Sequence, residues 1–323
     1  MLYINIIKER SVKSLKENLV GALTVMLIVI NTLFWACFLF SVAVLKIIPL
    51  RFTKKYINTI LDTIARLWIY CNNAGLKITR KIVWDVEGDN NLTTNSWYLV
   101  IANHQSWSDI VVLQKILTGK IPFLKFFLKK ELIGVPVLGL AWWALDFPFM
   151  RRYSQSFLLK YPNLKGKDIE ITKKACQKFK DIPVSVMNFV EGTRFTKEKH
   201  TKQGSPYSNL LKPKSGGIGF VFSTMGDYIT SILDVTIVYP EGNKSFWDFL
   251  CGRITMIKVQ IDEIPVTEAL RGDYIDDPVF KRKFQQWLNN VWYEKDMRIN
   301  IMKGKSFVPH NMHTEEDEAI IIN

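Results

Sequence analysis

The chain has 323 residues, 48% hydrophobic and 13% aromatic, which suits one large α/β domain with an appendage and is too short for two full catalytic domains. Its four scattered cysteines, Cys37, Cys71, Cys176 and Cys251, exclude a disulfide framework and fit a reducing compartment. A formal net charge of +13 would suggest nucleic acid for a soluble chain, but no zinc-finger, helix-turn-helix or RNA-binding signature is present, and an apolar N-terminal segment makes an anionic membrane surface the better partner.

Residues 1–18 read as a basic arm, and the anchor follows over residues 19–50. From Leu19 to Leu45 there are 27 uncharged residues. As a helix they would extend about 40 Å, more than a ~30 Å hydrocarbon core. That is too long for a signal-peptide core, so the segment reads as a retained anchor. Lys8, Arg10, Lys13 and Lys16 precede it, and Lys46, Arg51, Lys54 and Lys55 follow it. Positive charge on both flanks conflicts with a simple single span. A bent helical pair, with Asn31 as the break and both flanks cytoplasmic, resolves the conflict; a tilted single span is the alternative. Tyr56 to Asn73 continues as an amphipathic helix with Ile57, Ile60, Leu61, Ile64, Leu67 and Trp68 on one side. It suits either the membrane interface or packing on the domain behind it.

Residues 82–88 and 97–102 read as strands, and 106–118 as a helix. Between the second strand and the helix lies Asn103-His104-Gln105-Ser106-Trp107-Ser108-Asp109. Inside one helix His104 and Asp109 would stand roughly 7.5 Å apart on different faces. The spacing therefore predicts His104 in the turn and Asp109 in the first helical turn. Ser106 as cap of a helix starting at Trp107, with Asp109 three residues on, makes an S-x-x-D capping pattern. Folded back, the carboxylate can hold the imidazole in one tautomer and stabilise its charged form. The competing reading makes Asp109 a dipole-favoured helix-start carboxylate and His104 an ordinary turn residue. No second His or Cys stands at ligand spacing from His104, so no metal is expected.

Phe123 to Trp143 adds apolar surface, as core or as a hydrophobic channel. Then come Phe149-Met150-Arg151-Arg152, an exposed charge-rich helix over 166–180, and a central strand over 183–190. The strand runs into Glu191-Gly192-Thr193-Arg194, and a polar loop spans Thr196 to Ser208. Arg194 offers a bidentate fork suited to phosphate. Gly192 permits a close turn and an N–H toward an anion; Thr193 can donate through its hydroxyl; Glu191 can pair with an arginine or a lipid hydroxyl. A plain Glu191–Arg194 surface ion pair is the alternative. Lys212, Lys214 and Ser215-Gly216-Gly217 make either an anion-binding turn before an apolar helix or an exposed loop. Strands follow at 233–239 and 255–262, the latter alternating Ile257, Val259 and Ile261. An aromatic-rich helix opens the tail from Asp277, which ends in a loosely ordered segment from His310. Alternating strands and helices give an α/β sheet with loops carrying the site.

Four blocks stand in order: Asn103-His104 to Asp109, Phe149-Met150-Arg151-Arg152, Glu191-Gly192-Thr193-Arg194, and Val235-Thr236-Ile237-Val238-Tyr239-Pro240. In this order and spacing the chain resembles the 1-acyl-glycerol-3-phosphate acyltransferase family of glycerolipid acyltransferases, over about Ile82 to Gln260. Asn103 to Asp109, Leu211-Lys212-Pro213-Lys214 and Asp234-Val235-Thr236 are similar to the branch of lysocardiolipin acyltransferases and their bacterial relatives. Asp234 departs from the wider pattern, where a proline is usual.

The resemblance implies an α/β fold with a mixed central sheet flanked by helices, carrying an N-terminal hydrophobic membrane-anchor helix or helix pair. It favours the two-helix anchor that lies on one side of the membrane. Three regions are expected: a basic arm and membrane-anchoring helices over 1–75, an acyltransferase domain over 76–300 and a polar C-terminal tail over 301–323. His104 would be general base and Asp109 its orienting group; Lys129, Arg152, Glu191, Gly192, Thr193 and Arg194 would bind substrate. The implied reaction moves a fatty acyl group from acyl-CoA or acyl carrier protein to 1-acyl-glycerol-3-phosphate, forming phosphatidic acid. No cofactor is implied beyond the acyl donor, and no nucleic acid. The catalytic domain would face the cytoplasm, at the inner membrane if the cell is bacterial. Two other readings are remodelling of lysophosphatidylglycerol or lysocardiolipin, and a non-catalytic membrane-binding protein that keeps the fold.

Overall fold

The computed structural model describes residues 2–47, 53–150, 176, 179, 182–242 and 244–304. Two long helices come first, α1 (Leu2–Ala43) and α2 (Thr53–Thr79), with a short 3-10 turn at Val44–Ile47 after α1. Strands β1 (Val83–Glu87) and β2 (Tyr98–Ala102) and helix α3 (Ser108–Leu117) follow. Next come β3 (Leu124–Phe126), β4 (Leu128–Lys129), α4 (Leu138–Ala144) and β5 (Phe149–Met150). The later part holds β6 (Ser185–Asn188), α5 (Lys197–Gln203), α6 (Ser215–Met225), β7 (Ser231–Val238), α7 (Phe246–Leu250), β8 (Met256–Pro265) and α8 (Pro278–Met302).

Six strands form one mixed sheet in the order β1-β8-β7-β2-β6-β3. The run β7-β2-β6-β3 is parallel, β8 is antiparallel to β7, and β1 is parallel to β8. Every residue of β2 is buried, as expected of a central strand covered on both faces. Its alternation assigns Leu99 and Ile101 to a core shared with α6 and α8. Tyr98, Val100 and Ala102 point into a second core shared with α3. Along β8, Ile257, Val259 and Ile261 are buried at alternate positions, and the strand runs three residues beyond the expected end.

The expected break at Asn31 does not form. Helix α1 runs unbroken through it, and the antiparallel-looking pair is α1 with α2. The Asn31 amide donates to the Trp68 carbonyl (3.0 Å) and to Asn72 Oδ1 (2.8 Å), while Trp68 Nε1 donates to Thr32 (3.1 Å). A polar side chain satisfied by a neighbouring helix has no reason to unwind its own. Leu39, Ala43, Ile57, Leu61, Ile64 and Ala65 form a third core, completed by Ala144, Leu145 and Phe147.

Two smaller differences are local. The expected loop over 196–208 contains α5, because Thr196 caps it by accepting from Lys199 N (3.2 Å) and Gly204 ends it with a left-handed backbone. Helix α3 starts at Ser108 rather than Trp107, and only half of the predicted capping box forms: the Asp109 carboxylate takes the Ser106 N–H (2.8 Å), while the Ser106 hydroxyl accepts from Ser108 N (3.3 Å). The charge-rich segment 166–180 and the tail from His310 lie outside the described residues, apart from Cys176 and Phe179, which are buried in the core.

Candidate active site

The site forms where β2 leaves the sheet. Asn103 follows the strand and is fully buried. Its side-chain amide exchanges two hydrogen bonds with the backbone of Ile237 in β7, donating to the carbonyl and accepting from the N–H at 2.9 Å each. Gln105 Nε2 also donates to the Ile237 carbonyl (3.1 Å). The turn carrying His104 is therefore pinned to the neighbouring strand on both sides of the histidine.

His104 Nδ1 lies 2.9 Å from Asp109 Oδ2. The same oxygen accepts from the N–H groups of Gln105 (2.6 Å) and Ser106 (2.8 Å), and Oδ1 accepts from the Tyr239 hydroxyl (2.7 Å). Asp109 is wholly buried, so these bonds replace all of its hydration. The imidazole stacks on Phe189, with ring centres 3.9 Å apart and planes 12° from parallel. Among the described residues Nε2 has no partner, and it is the nitrogen left for a reactant.

The second half of the site is the turn after β6. Glu191 is fully buried, accepting from His104 N (3.0 Å) through Oε1 and from Leu211 N (3.1 Å) through Oε2. Burial pushes its acid up to about 8, against the pull of those two amides. Phe195 N donates to the His104 carbonyl (2.7 Å), so this loop grips the histidine backbone at both its N–H and its carbonyl. Gly192 has φ of 70°, the left-handed region that glycine occupies without strain. Its N–H donates to the Phe189 carbonyl (2.9 Å) to close the turn, which corrects the expectation that it faces an anion. Lys214 extends past this turn, its ammonium 3.8 Å from where a Gly192 side chain would begin. Thr193 accepts from Lys199 Nζ (2.7 Å), which also donates to the Arg194 carbonyl (3.1 Å). The Arg194 guanidinium lies over the exposed Trp107 ring, 4.9 Å from its centre. Neither alternative pairing of Glu191 with an arginine forms among the described residues.

Residues 83–240 match the family model described as Acyltransferase. Over those residues the chain is similar to the Acyltransferase family. A probable 1-acyl-sn-glycerol-3-phosphate acyltransferase of Arabidopsis thaliana is 24% identical over 300 residues, covering 88% of this chain and 72% of that one. The human 1-acyl-sn-glycerol-3-phosphate acyltransferase gamma is 25% identical over 197 residues, 57% of this chain and 47% of the relative, so the chain spans about half of that protein's length. A 2-acyl-1-lysophosphatidylinositol acyltransferase of Saccharomyces cerevisiae is 24% identical over 243 residues, 64% and 61% of the two chains. The fold is similar to the crystal structure of PlsC, the 1-acyl-sn-glycerophosphate acyltransferase of Thermotoga maritima, at TM-score 0.52 and 17% identity, over 92% of this chain and all of that one.

Within residues 83–240, the structure brings together His104, Asp109, Glu191, Gly192, Thr193 and Arg194. Arg152 lies outside the described residues, as does the Lys129 side chain. The backbone of Lys129 pairs with Met150 in the two-stranded β4–β5 sheet, which sets it beside the residue that precedes Arg151. Sequence reading assigned no role to Asn103, Trp107, Phe189, Lys199 or Tyr239. All but Lys199 stand in or next to the quoted motifs, which is the one signal that could have raised them. Their partners lie on other elements, and no local spacing shows those contacts.

Proposed function

We propose that the chain is a membrane-docked acyltransferase that moves a fatty acyl group from a thioester to the free hydroxyl of 1-acyl-glycerol-3-phosphate. The observation that carries this reading is the buried His104–Asp109 pair, 2.9 Å apart, with Nε2 unengaged among the described residues and the Arg194 loop bonded to the histidine backbone. In this mechanism His104 Nε2 takes the proton of the acceptor hydroxyl as its oxygen attacks the thioester carbonyl carbon. Asp109 keeps the proton on Nδ1 and stabilises the imidazolium. The tetrahedral intermediate collapses, the C–S bond breaks, and the imidazolium returns its proton to the leaving thiolate. No acyl-enzyme is formed. Arg194, Thr193 and Lys129 or Arg152 would hold the acceptor phosphate, with Arg194 as the planar fork. Glu191 acts from behind by fixing the histidine backbone.

Membrane docking follows from the anchor. The segment Val12–Lys46 is long and apolar enough to cross a bilayer. Yet α1 and the turn after it are tied to the rest of the chain, through Glu17 to Arg253 (2.8 Å), Asn18 to Trp247 (3.1 Å), Thr24 to Arg80 (2.9 Å) and Lys46 to Asp146 (2.9 Å). A helix held along a catalytic domain presents one apolar side to lipid without crossing it, and this favours the one-sided anchor over a single span.

The test is turnover of the detergent-solubilised chain on lysophosphatidic acid, lysophosphatidylglycerol, lysophosphatidylinositol and lysocardiolipin, each with acyl-CoA and with acyl carrier protein. Lysophosphatidic acid should be preferred, and His104→Ala should abolish turnover while leaving vesicle binding intact. Normal acyl transfer by that variant would overturn the assignment of the base; preference for another lysolipid would overturn the acceptor.

A further inference from the structure

We infer that Tyr239 is a positioning residue for the catalytic pair: its hydroxyl holds the Asp109 carboxylate in the orientation that serves His104. This rests on the base assignment above. Asp109 has two oxygens in unequal surroundings. Oδ2 accepts from His104 Nδ1 and from two backbone N–H groups, whereas Oδ1, among the described residues, accepts from Tyr239 alone, at 2.7 Å. Both side chains are buried, Tyr239 at 2% and Asp109 at 0% exposure, so water cannot replace that donor. Burial first, and then the Asp109 charge, push the phenol well above its ordinary range, so the hydroxyl keeps its proton and remains a donor.

The placement follows from the fold. Tyr239 directly follows β7, and Asp109 is in the first turn of α3 after β2. These strands are parallel neighbours in register, Ala102 beside Val235, so both chains emerge at the same edge of the sheet. Residue 237 pins Asn103 and Gln105, and residue 239 pins Asp109. The fourth motif therefore acts on the reaction through the first. Without the phenol, Oδ1 is a buried acceptor with nothing to accept, and the carboxylate gains by rotating away from the imidazole or by drawing its proton. Either change lowers turnover without touching a substrate.

The experiment is Tyr239→Phe, which keeps the ring and deletes one oxygen, assayed beside His104→Ala with turnover counted per folded molecule. We expect kcat to fall about tenfold, a part of the roughly 10²–10⁴-fold that a general base contributes, with KM for acceptor and donor within about twofold of the parent. The histidine Nδ1 proton resonance of labelled protein should move in Tyr239→Phe and vanish in His104→Ala. An unchanged kcat and an unmoved resonance, with His104→Ala inactive, overturn the inference and leave the base in place. A raised KM with unchanged kcat also overturns it, since Tyr239 would then act on substrate. Full turnover by His104→Ala removes both readings.

Discussion

Arg194 and Trp107 show how little of a guanidinium's placement is written next to it. The arginine could be proposed as a phosphate fork from its motif, but the aromatic face that carries it comes from a different loop. An exposed cation–π contact is worth about 0.5–1 kcal/mol, so Trp107→Leu should raise the acceptor KM about twofold to fivefold, and Trp107→Phe should restore most of it. Arg194→Ala removes the proposed phosphate ligand and should raise acceptor KM by about tenfold or more, from the ~1.5–3 kcal/mol of a charged hydrogen bond. Initial rates against acceptor concentration separate these cases, and an unchanged KM for Arg194→Ala would take it out of the phosphate site. Glu191 carries a different prediction. Its ordinary acid value is 4.5, and burial raises it to about 8 in the fold. The folded chain therefore keeps a proton that the unfolded chain loses, and stability falls as pH rises from about 4.5 to about 8. Glu191→Gln should lack that slope in thermal unfolding measured across the window. It should also be less stable at the acid end by about 1–3 kcal/mol, because an amide NH2 would face one of two N–H donors.

At the scale of elements, β7 and α8 are joined by charges inside the protein. Asp234 in β7 meets Lys295 (2.7 Å) and Arg298 (3.1 Å) from α8, and Arg298 reaches Asp262 in β8 (2.8 Å). Lys295 is wholly buried and also donates to the Val235 carbonyl (2.7 Å). This gives the unusual Asp234 of the fourth motif a physical role: it is the carboxylate that docks α8. Lys295→Met should cost about 3–5 kcal/mol in denaturant unfolding, since it leaves a buried carboxylate short of its partner. Asp234→Leu with Lys295→Met should recover part of that loss; a double variant less stable than the single one would show that the pair is favourable in its own right. The strands themselves were readable, because β2 is buried over all five residues and β8 buries alternate positions at Ile257, Val259 and Ile261. Helix α5 was not, because its seven residues are polar throughout and it rests on a cap and a glycine rather than on an apolar face.

At the scale of the whole molecule, α1 leaves an apolar stripe open to the outside, with Leu19 at 61%, Met26 at 50% and Leu33 at 52% exposure. Its other side is stitched to the catalytic domain, and at Gly21 the approach is so close that a Cβ would stand 2.6 Å from Cys251 Sγ. With a net charge of +13, binding should combine burial of this stripe with attraction to anionic lipid. Replacing Leu19, Met26 and Leu33 together by Ser should abolish flotation with anionic vesicles while leaving thermal unfolding nearly unchanged. The parent should lose part of its binding at high salt. Binding that survives the triple replacement would place the lipid-facing surface elsewhere.

Local sequence by itself determined the α/β class, the buried strands, the apolar segment and the residues of the motifs, because each of these is a matter of spacing over a few positions along one element. It also marked His104 and Asp109 as a possible pair, since five residues of turn allow them to meet. Only the tertiary structure decided which groups hold that pair in place: Tyr239 and Ile237 from the neighbouring strand, Glu191 and Phe195 from the loop after β6. Those contacts exist because the sheet sets β7 and β6 on either side of β2, and strand order is fixed by packing across the chain, not by any period within it.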